Sequence, residues 1–255
     1  MNYIISASTD IGNTKKTNQD SLNVKVITIG GEQVAFAVLC DGMGGLEKGE
    51  LASASVVHAY EKWVLERLPA LLSAGLRDDI LRKEWEGIAG LCNEKIKDYG
   101  RRSAISLGTT AAVLLLTRER YYIMNVGDSR VYEIAGQLSV LTRDQTVVAR
   151  EVEQGLLSLE QARSDPRRSV LLQCIGSSEE VYPDFFFGEP KAGAVYMLCS
   201  DGFRHEITEA EIWEGFQPQT MLRAEQMKEN ELRLIALNKL RQERDNISVI
   251  TIRTY

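Results

Sequence analysis

The stretch GTTAAVLLLTRERYYIMNVGDSRVYEIAGQLSVLT, Gly108 to Thr142, restricts the fold more than any other part of this chain. It reads as about four short strands in succession, with TRER, GDSR and AGQ as the turns between them. Strands this close together pair antiparallel, because a parallel pair needs a crossover of about a dozen residues or more. A doubly wound parallel sheet is therefore excluded. Three further β-like runs, YIISAS, SLNVKVITI and QVAFAVLC, fill the first forty residues, the last two joined by GGE as a hairpin turn. GAVYMLCSDG and NISVITIR add two more toward the C-terminus.

Helical spacing occupies most of the remainder. From Glu47 to about Leu68, apolar Leu51, Ala54, Val57 and Trp63 recur among charged residues, and a second helix is expected from about Asp78 to Asp98. Asp144 to Arg168 is polar and helical until DPRR breaks it, and a long helix is expected over about Met221 to Gln242. SLEQ at Ser158 and TEAE at Thr208 have the spacing of capping boxes. No repeat, low-complexity tract or linker divides the chain. The expected fold is α+β, a β-sandwich of two antiparallel sheets flanked by helices on both outer faces (αββα, four layers). Residues 1–255 are read as one domain with a mobile flap at about 144–170.

Composition narrows the chemistry. A net charge of −6 argues against a nucleic-acid partner. No apolar run reaches the roughly 18 residues of a membrane span, and MNYIISASTD lacks a signal-peptide pattern, so a cytoplasmic protein without membrane contact is expected. The four cysteines form no C-x-x-C pair and are expected as reduced thiols, Cys40 and Cys199 buried in apolar runs. With only His58 and His205 present, a zinc site built mainly from histidines is nearly excluded. His58 reads as a packing residue of the first helix. The chemistry must then rest on carboxylates.

Several strands end or begin at an aspartate. AFAVLCDG places Asp41 at a strand tip, VYMLCSDG places Asp201 and YIMNVGDSR places Asp128; RQERDNISVI sets Asp245, and NQDS sets Asp20, just before a strand. Two stacked sheets whose strands finish at one rim would gather all five. Carboxylates so gathered repel and shift upward in pKa, and divalent cations relieve that. All-oxygen ligation selects Mg²⁺ or Mn²⁺ over zinc or copper. Gly42, without a side chain, lets its carbonyl approach an ion. Taken singly, Asp41 and Asp201 also suit plain Asp-Gly turns, Asp128 can pair with Arg130, and Lys15 with Lys16 can be a solvated basic pair. The glycines from Gly44 to Gly49 do not make a phosphate loop, since Glu50 and Leu51 follow instead of Lys and Ser/Thr.

NQDS, CDGMGG, GTT, NVGDSRVY, LLQCIG, CSDGF and RDNISVI occur in the order and at the spacing of the metal-dependent Ser/Thr protein phosphatases of type 2C, over roughly residues 6–253. The chain is identified by this resemblance as similar to that family, which implies hydrolysis of phosphoserine and phosphothreonine by metal-activated water without a phosphoenzyme. It implies two Mn²⁺ or Mg²⁺ ions, with Asp41 bridging them, the Gly42 carbonyl on one, and Asp201 and Asp245 on the other. Asp20 would orient the attacking water, Asp128 would join Asp201 at a third, weaker ion, and Lys15 would bind phosphate. The implied partners are phosphorylated proteins and a cognate Ser/Thr kinase. Four positions depart from the pattern: Lys15 stands for Arg, Gln19 for Glu, Gln145 for His, and Met43 for the His that some members use as general acid. His205 is a candidate for that proton. A non-catalytic metal-binding regulatory module and a hydrolase of small phosphate esters remain the alternatives.

Overall fold

Strands β1 (Tyr3–Asp10), β2 (Ser21–Ile29) and β3 (Glu32–Cys40) are the three N-terminal runs, and β2 and β3 pair as the expected hairpin. The computed structural model describes residues 1–43 and 48–255. Strands β4 (Ala111–Leu116), β5 (Tyr121–Val126), β6 (Arg130–Ile134) and β7 (Leu138–Val140) follow, then β8 (Asp184–Gly188), β9 (Val195–Cys199) and β10 (Ile247–Thr254). They form two five-stranded sheets, one ordered β1-β10-β9-β6-β7 and the other β2-β3-β4-β5-β8. Every pairing is antiparallel.

The expected four-strand meander is divided between them. TRER closes the β4–β5 hairpin and AGQ the β6–β7 hairpin, but GDSR carries the chain from one sheet to the other. Asp128 and Ser129 in that crossing are buried, which a solvated hairpin turn would not be. The sequence reading also missed β8, DFFFG at the edge of the second sheet, whose five residues are all half-buried and show no alternation.

Why the runs read as continuously apolar is visible in β3. Val34, Phe36, Val38 and Cys40 face outward into a helix-covered cluster, while Ala35, Ala37 and Leu39 face the opposite sheet. Both faces are buried, so the period of two is hidden in the sequence. Between the sheets, small Ala35, Ala37 and Ala112 are accommodated beside large Tyr196, Leu198, Ile250 and Ile252 from the other sheet. Each such Leu or Ile contributes about 1.5–3 kcal/mol by leaving water.

Helices α1 (Gly49–Glu66), α2 (Leu68–Ser73) and α3 (Asp78–Ser103) cover the second sheet, with Trp63 and Trp85 packed edge to face at 5.5 Å. Helices α6 (Asp201–Arg204), α7 (Glu209–Gly215) and α8 (Ala224–Leu240) cover the first. The αββα expectation holds. Glu47, the expected start of α1, lies outside the described residues, as do Gly44 and Gly45. The segment after Asp144 is two short helices rather than one, α4 (Val147–Glu153) capped by Thr146 and α5 (Leu159–Ser164). Both capping boxes form, at Ser158 and at Thr208. His58 is not a packing residue; its side chain is 78% exposed, because it lies on the solvent face of α1. The four cysteines are free and buried.

Candidate metal centre

Antiparallel pairing explains why aspartates at both starts and ends of strands meet. Ser21 pairs with Cys40, so Asp20 before β2 and Asp41 after β3 share one end of the second sheet. In the first sheet Cys199 pairs with Val249 and with Arg130, so Asp201 follows β9 at the end where β10 and β6 begin. Asp245 and Asp128 stand just before those two strands. Asp41 feels the charges of Asp20, Asp201, Asp245 and Asp128 together, so the two sheet ends form one rim.

Backbone ties fix each position. Asp41 donates its N–H to Thr110 Oγ1 at 2.9 Å, and its carbonyl accepts from Thr110 N at 2.9 Å and Thr109 Oγ1 at 2.8 Å. Gly42 bridges to Thr109, and a Cβ there would stand 2.5 Å from the Gln19 carbonyl oxygen and 2.6 Å from that of Gly49. Only glycine permits that approach. Gly202 is held likewise, since a side chain would run into the Asn246 carbonyl.

The electrostatics record crowding. Burial pushes the Asp20 carboxyl up to about 7; the Ser248 and Ser200 hydroxyls, short of hydrogen-bond geometry, draw it partly back, while Asp201 and Asp245 raise it further. Burial and then the charges of Asp20, Asp201, Asp245 and Asp128 push Asp41 well above the carboxylate range. Burial and Asp201 push Asp128 up to about 8. Asp201 goes the other way: burial raises it, but His205 and Arg204 hold it below its usual value. Both oxygens of Asp20 and Oδ1 of Asp201 are buried without a hydrogen-bond partner among the described residues. Such orphaned anionic acceptors, with a side-chain-free carbonyl at Gly42, fit hard divalent cations. Among the described residues no three His, Cys, Asp or Glu side chains already close into a cage, so the rim supplies donors rather than a finished shell.

The rim has basic partners among its carboxylates. Lys15 Nζ lies 2.8 Å from Asp245 Oδ1; burial works against its charge, but Asp245, with Asp41 and Asp201 behind, raises its pKa. Arg204 lies 3.6 Å from Asp128 Oδ2 and donates to the Asp128 carbonyl at 3.0 Å. Asp128 does not pair with Arg130 in its own turn, because Arg130 makes a bidentate pair with Asp144 at 2.8 and 2.9 Å. Gln145 is structural: its Oε1 accepts from Gly127 N, and its amide donates to Asp184.

Sequence reasoning gave no role to Asn246. Its Oδ1 accepts from Gln19 N at 2.9 Å, and its Nδ2 donates to the carbonyls of Ile11 at 3.0 Å and Thr17 at 3.3 Å. One amide thereby holds the loop carrying Lys15 and Asp20 against the start of β10. The quoted RDN contained the signal, since an Asn beside a ligand candidate has donor and acceptor in one group. Asn246→Ala should cost about 2–4 kcal/mol, from three lost part-buried hydrogen bonds at about 0.5–1.5 kcal/mol each. A denaturant midpoint unchanged from the parent would refute that assignment.

Residues 12–240 match the family Protein phosphatase 2C. Protein phosphatase PhpP of Streptococcus pneumoniae is 30% identical over 211 residues, 82% of each chain. The structure of the S. agalactiae serine/threonine phosphatase superposes with a TM-score of 0.84 at 26% identity, covering 100% of both chains. The catalytic domain of the serine/threonine protein phosphatase PstP, solved in complex with two manganese ions, superposes at 0.78 with 26% identity over 99% of both. The chain belongs to the protein phosphatase 2C family, the metal-dependent Ser/Thr protein phosphatases. No helix among the described residues is long and apolar enough to cross a membrane.

Proposed function

We propose that residues 1–255 act as one catalytic domain that removes phosphate from phosphoserine and phosphothreonine in proteins, using two Mn²⁺ or Mg²⁺ ions held on the rim. The reading is carried by the unpartnered buried oxygens of Asp20 and Asp201 where five carboxylates converge. Asp41 would serve both ions, one of them held also by the Gly42 carbonyl and the other by Asp201 and Asp245; Asp128 with Asp201 would hold a third more weakly. Bound there, the cations supply Lewis-acid charge and a water of lowered pKa.

The chain's own residues do the rest. Asp20, with both oxygens free, orients the attacking water. Lys15, kept charged by its acidic neighbours, presents a point charge to the phosphoryl oxygens. Thr110 fixes the backbone of Asp41, and Asn246 fixes the loop of Lys15 and Asp20. Residues from about 144 to 170 act as a flap over the rim: Ser169 Oγ donates to Asp201 Oδ2 at 3.3 Å, and Arg168 lies 3.5 Å from Glu206. Beyond Met43 an open cleft of about 1010 Å³, lined by Gln173, Cys174 and Tyr182 among others, suits a polypeptide more than a small ester. The substrates are products of a cognate Ser/Thr kinase.

With Mn²⁺ present, the protein should release inorganic phosphate from a phosphothreonine peptide faster than from a nucleotide, and a chelator should stop it. Faster nucleotide turnover would favour the small-ester reading. Metal uptake without turnover at any pH would favour the regulatory module.

A further inference from the structure

Asp201 opens α6 just after β9, and Asp245 stands just before β10, so the ladder between the two strands sets their backbones but not the directions of their side chains. Two side chains, His205 and Glu243, link the Asp201 carboxylate to the backbone of Asp245. Asp201 Oδ2 lies 3.6 Å from His205 Nε2, and His205 Nδ1 lies 3.8 Å from Glu243 Oε2. The other Glu243 oxygen accepts from the backbone N–H groups of Arg244 at 2.6 Å and Asp245 at 2.9 Å. The His205 side chain is 11% exposed, and Glu243 Oε2 has no hydrogen-bond partner among the described residues. A buried carboxylate oxygen without a donor is costly, and the imidazole beside it is a cationic or N–H partner within reach of a small shift.

Both ring nitrogens thus face carboxylates, which leaves neither directed at a leaving group. Nor is the ring needed to attach α6 to its surroundings. Asn238 Nδ2 donates to the Phe203 carbonyl at 2.8 Å, and Gly202 sits against the Asn246 carbonyl. These contacts hold the helix whether or not the imidazole is there. What His205 and Glu243 add is a fixed direction for the Asp201 carboxylate and a fixed backbone for Asp245.

We propose that His205 and Glu243 form a positioning unit that sets the spacing of the Asp201 carboxylate and the Asp245 loop for divalent-cation binding. The inference rests on the metal-centre reading above. Partners that orient ligand side chains commonly change metal affinity by ~10- to 100-fold when removed. Mn²⁺ titration calorimetry on the full chain tests it, with thermal unfolding in chelator measured alongside. His205→Ala and Glu243→Ala should each weaken Mn²⁺ binding by ~10- to 100-fold, and the double variant no more than the worse single one, since the two act as a unit. Glu243→Gln keeps an acceptor for Arg244 and Asp245 and should recover most of the affinity. If Glu243→Ala does not fold, His205→Ala and Glu243→Gln decide the matter. A lower melting temperature with unchanged Mn²⁺ affinity, or additive losses in the double variant, overturns the unit. A parent protein that takes up no Mn²⁺ overturns the metal-centre reading as well; a parent that binds, with His205→Ala binding equally, overturns this inference alone.

Discussion

Asp41→Ala should lower kcat/KM on a phosphothreonine peptide by at least about 10³-fold, about 4 kcal/mol of transition-state stabilisation, and remove tight Mn²⁺ uptake. The size follows from position. Asp41 is the residue on which the charges of Asp20, Asp201, Asp245 and Asp128 converge, so it is the donor best placed to be shared between ions. The loss should be chemical and not a failure to fold. The bonds from Asp41 to Thr110 and Thr109 use backbone atoms and survive the change of side chain. Asp41→Asn makes the distinction sharper. Its ionised parent is disfavoured by burial and by four neighbouring carboxylates, so the neutral amide should raise the melting temperature in chelator while still abolishing turnover. Phosphate release at the parental rate from either variant would remove Asp41 from the centre.

In chelator, stability should fall by several kcal/mol as pH rises from about 4 to about 8, and Mn²⁺ should reverse the fall. Asp20 titrates at about 7 and Asp128 at about 8 in the folded protein, against 3.8 for an ordinary aspartate. Across that window the native state binds more protons than the unfolded chain, so each unit of pH favours unfolding. Below about pH 4 both states are protonated and this contribution is fully present. Asp144 and Asp201 oppose it at the acid end. Burial raises Asp144 and the Arg204 and Arg130 guanidiniums lower it, with the net below its usual value, so its stabilisation is lost as pH falls through that lowered pKa. Bound cations invert the logic by favouring the ionised carboxylates. Urea midpoints at pH 5 and pH 8, with and without Mn²⁺, read this directly; midpoints in chelator that do not change with pH would contradict it.

Much of the fold was legible because its signals are local. The β2–β3 hairpin, the capping boxes at Ser158 and Thr208, and the β4–β5 and β6–β7 hairpins each depend on residues a few positions apart. β8 was not legible, since an edge strand with five half-buried residues carries no alternation. The assignment of GDSR failed for a related reason. β4 and β5 are buried almost throughout, and β6 nearly so, so nothing in their pattern says which sheet each joins.

The chain alone determined that acidic side chains terminate apolar runs and that glycine follows two of them, because a buried strand cannot carry a charge and a close backbone approach cannot carry a Cβ. It did not determine which charges meet. Arg130 lies two residues from Asp128 yet pairs with Asp144, while Arg204, far along the chain, stands beside Asp128. Asn246 ties down a loop some 230 residues away. Such pairings depend on register across two stacked sheets, and register is set by the mutual burial of all the strands at once.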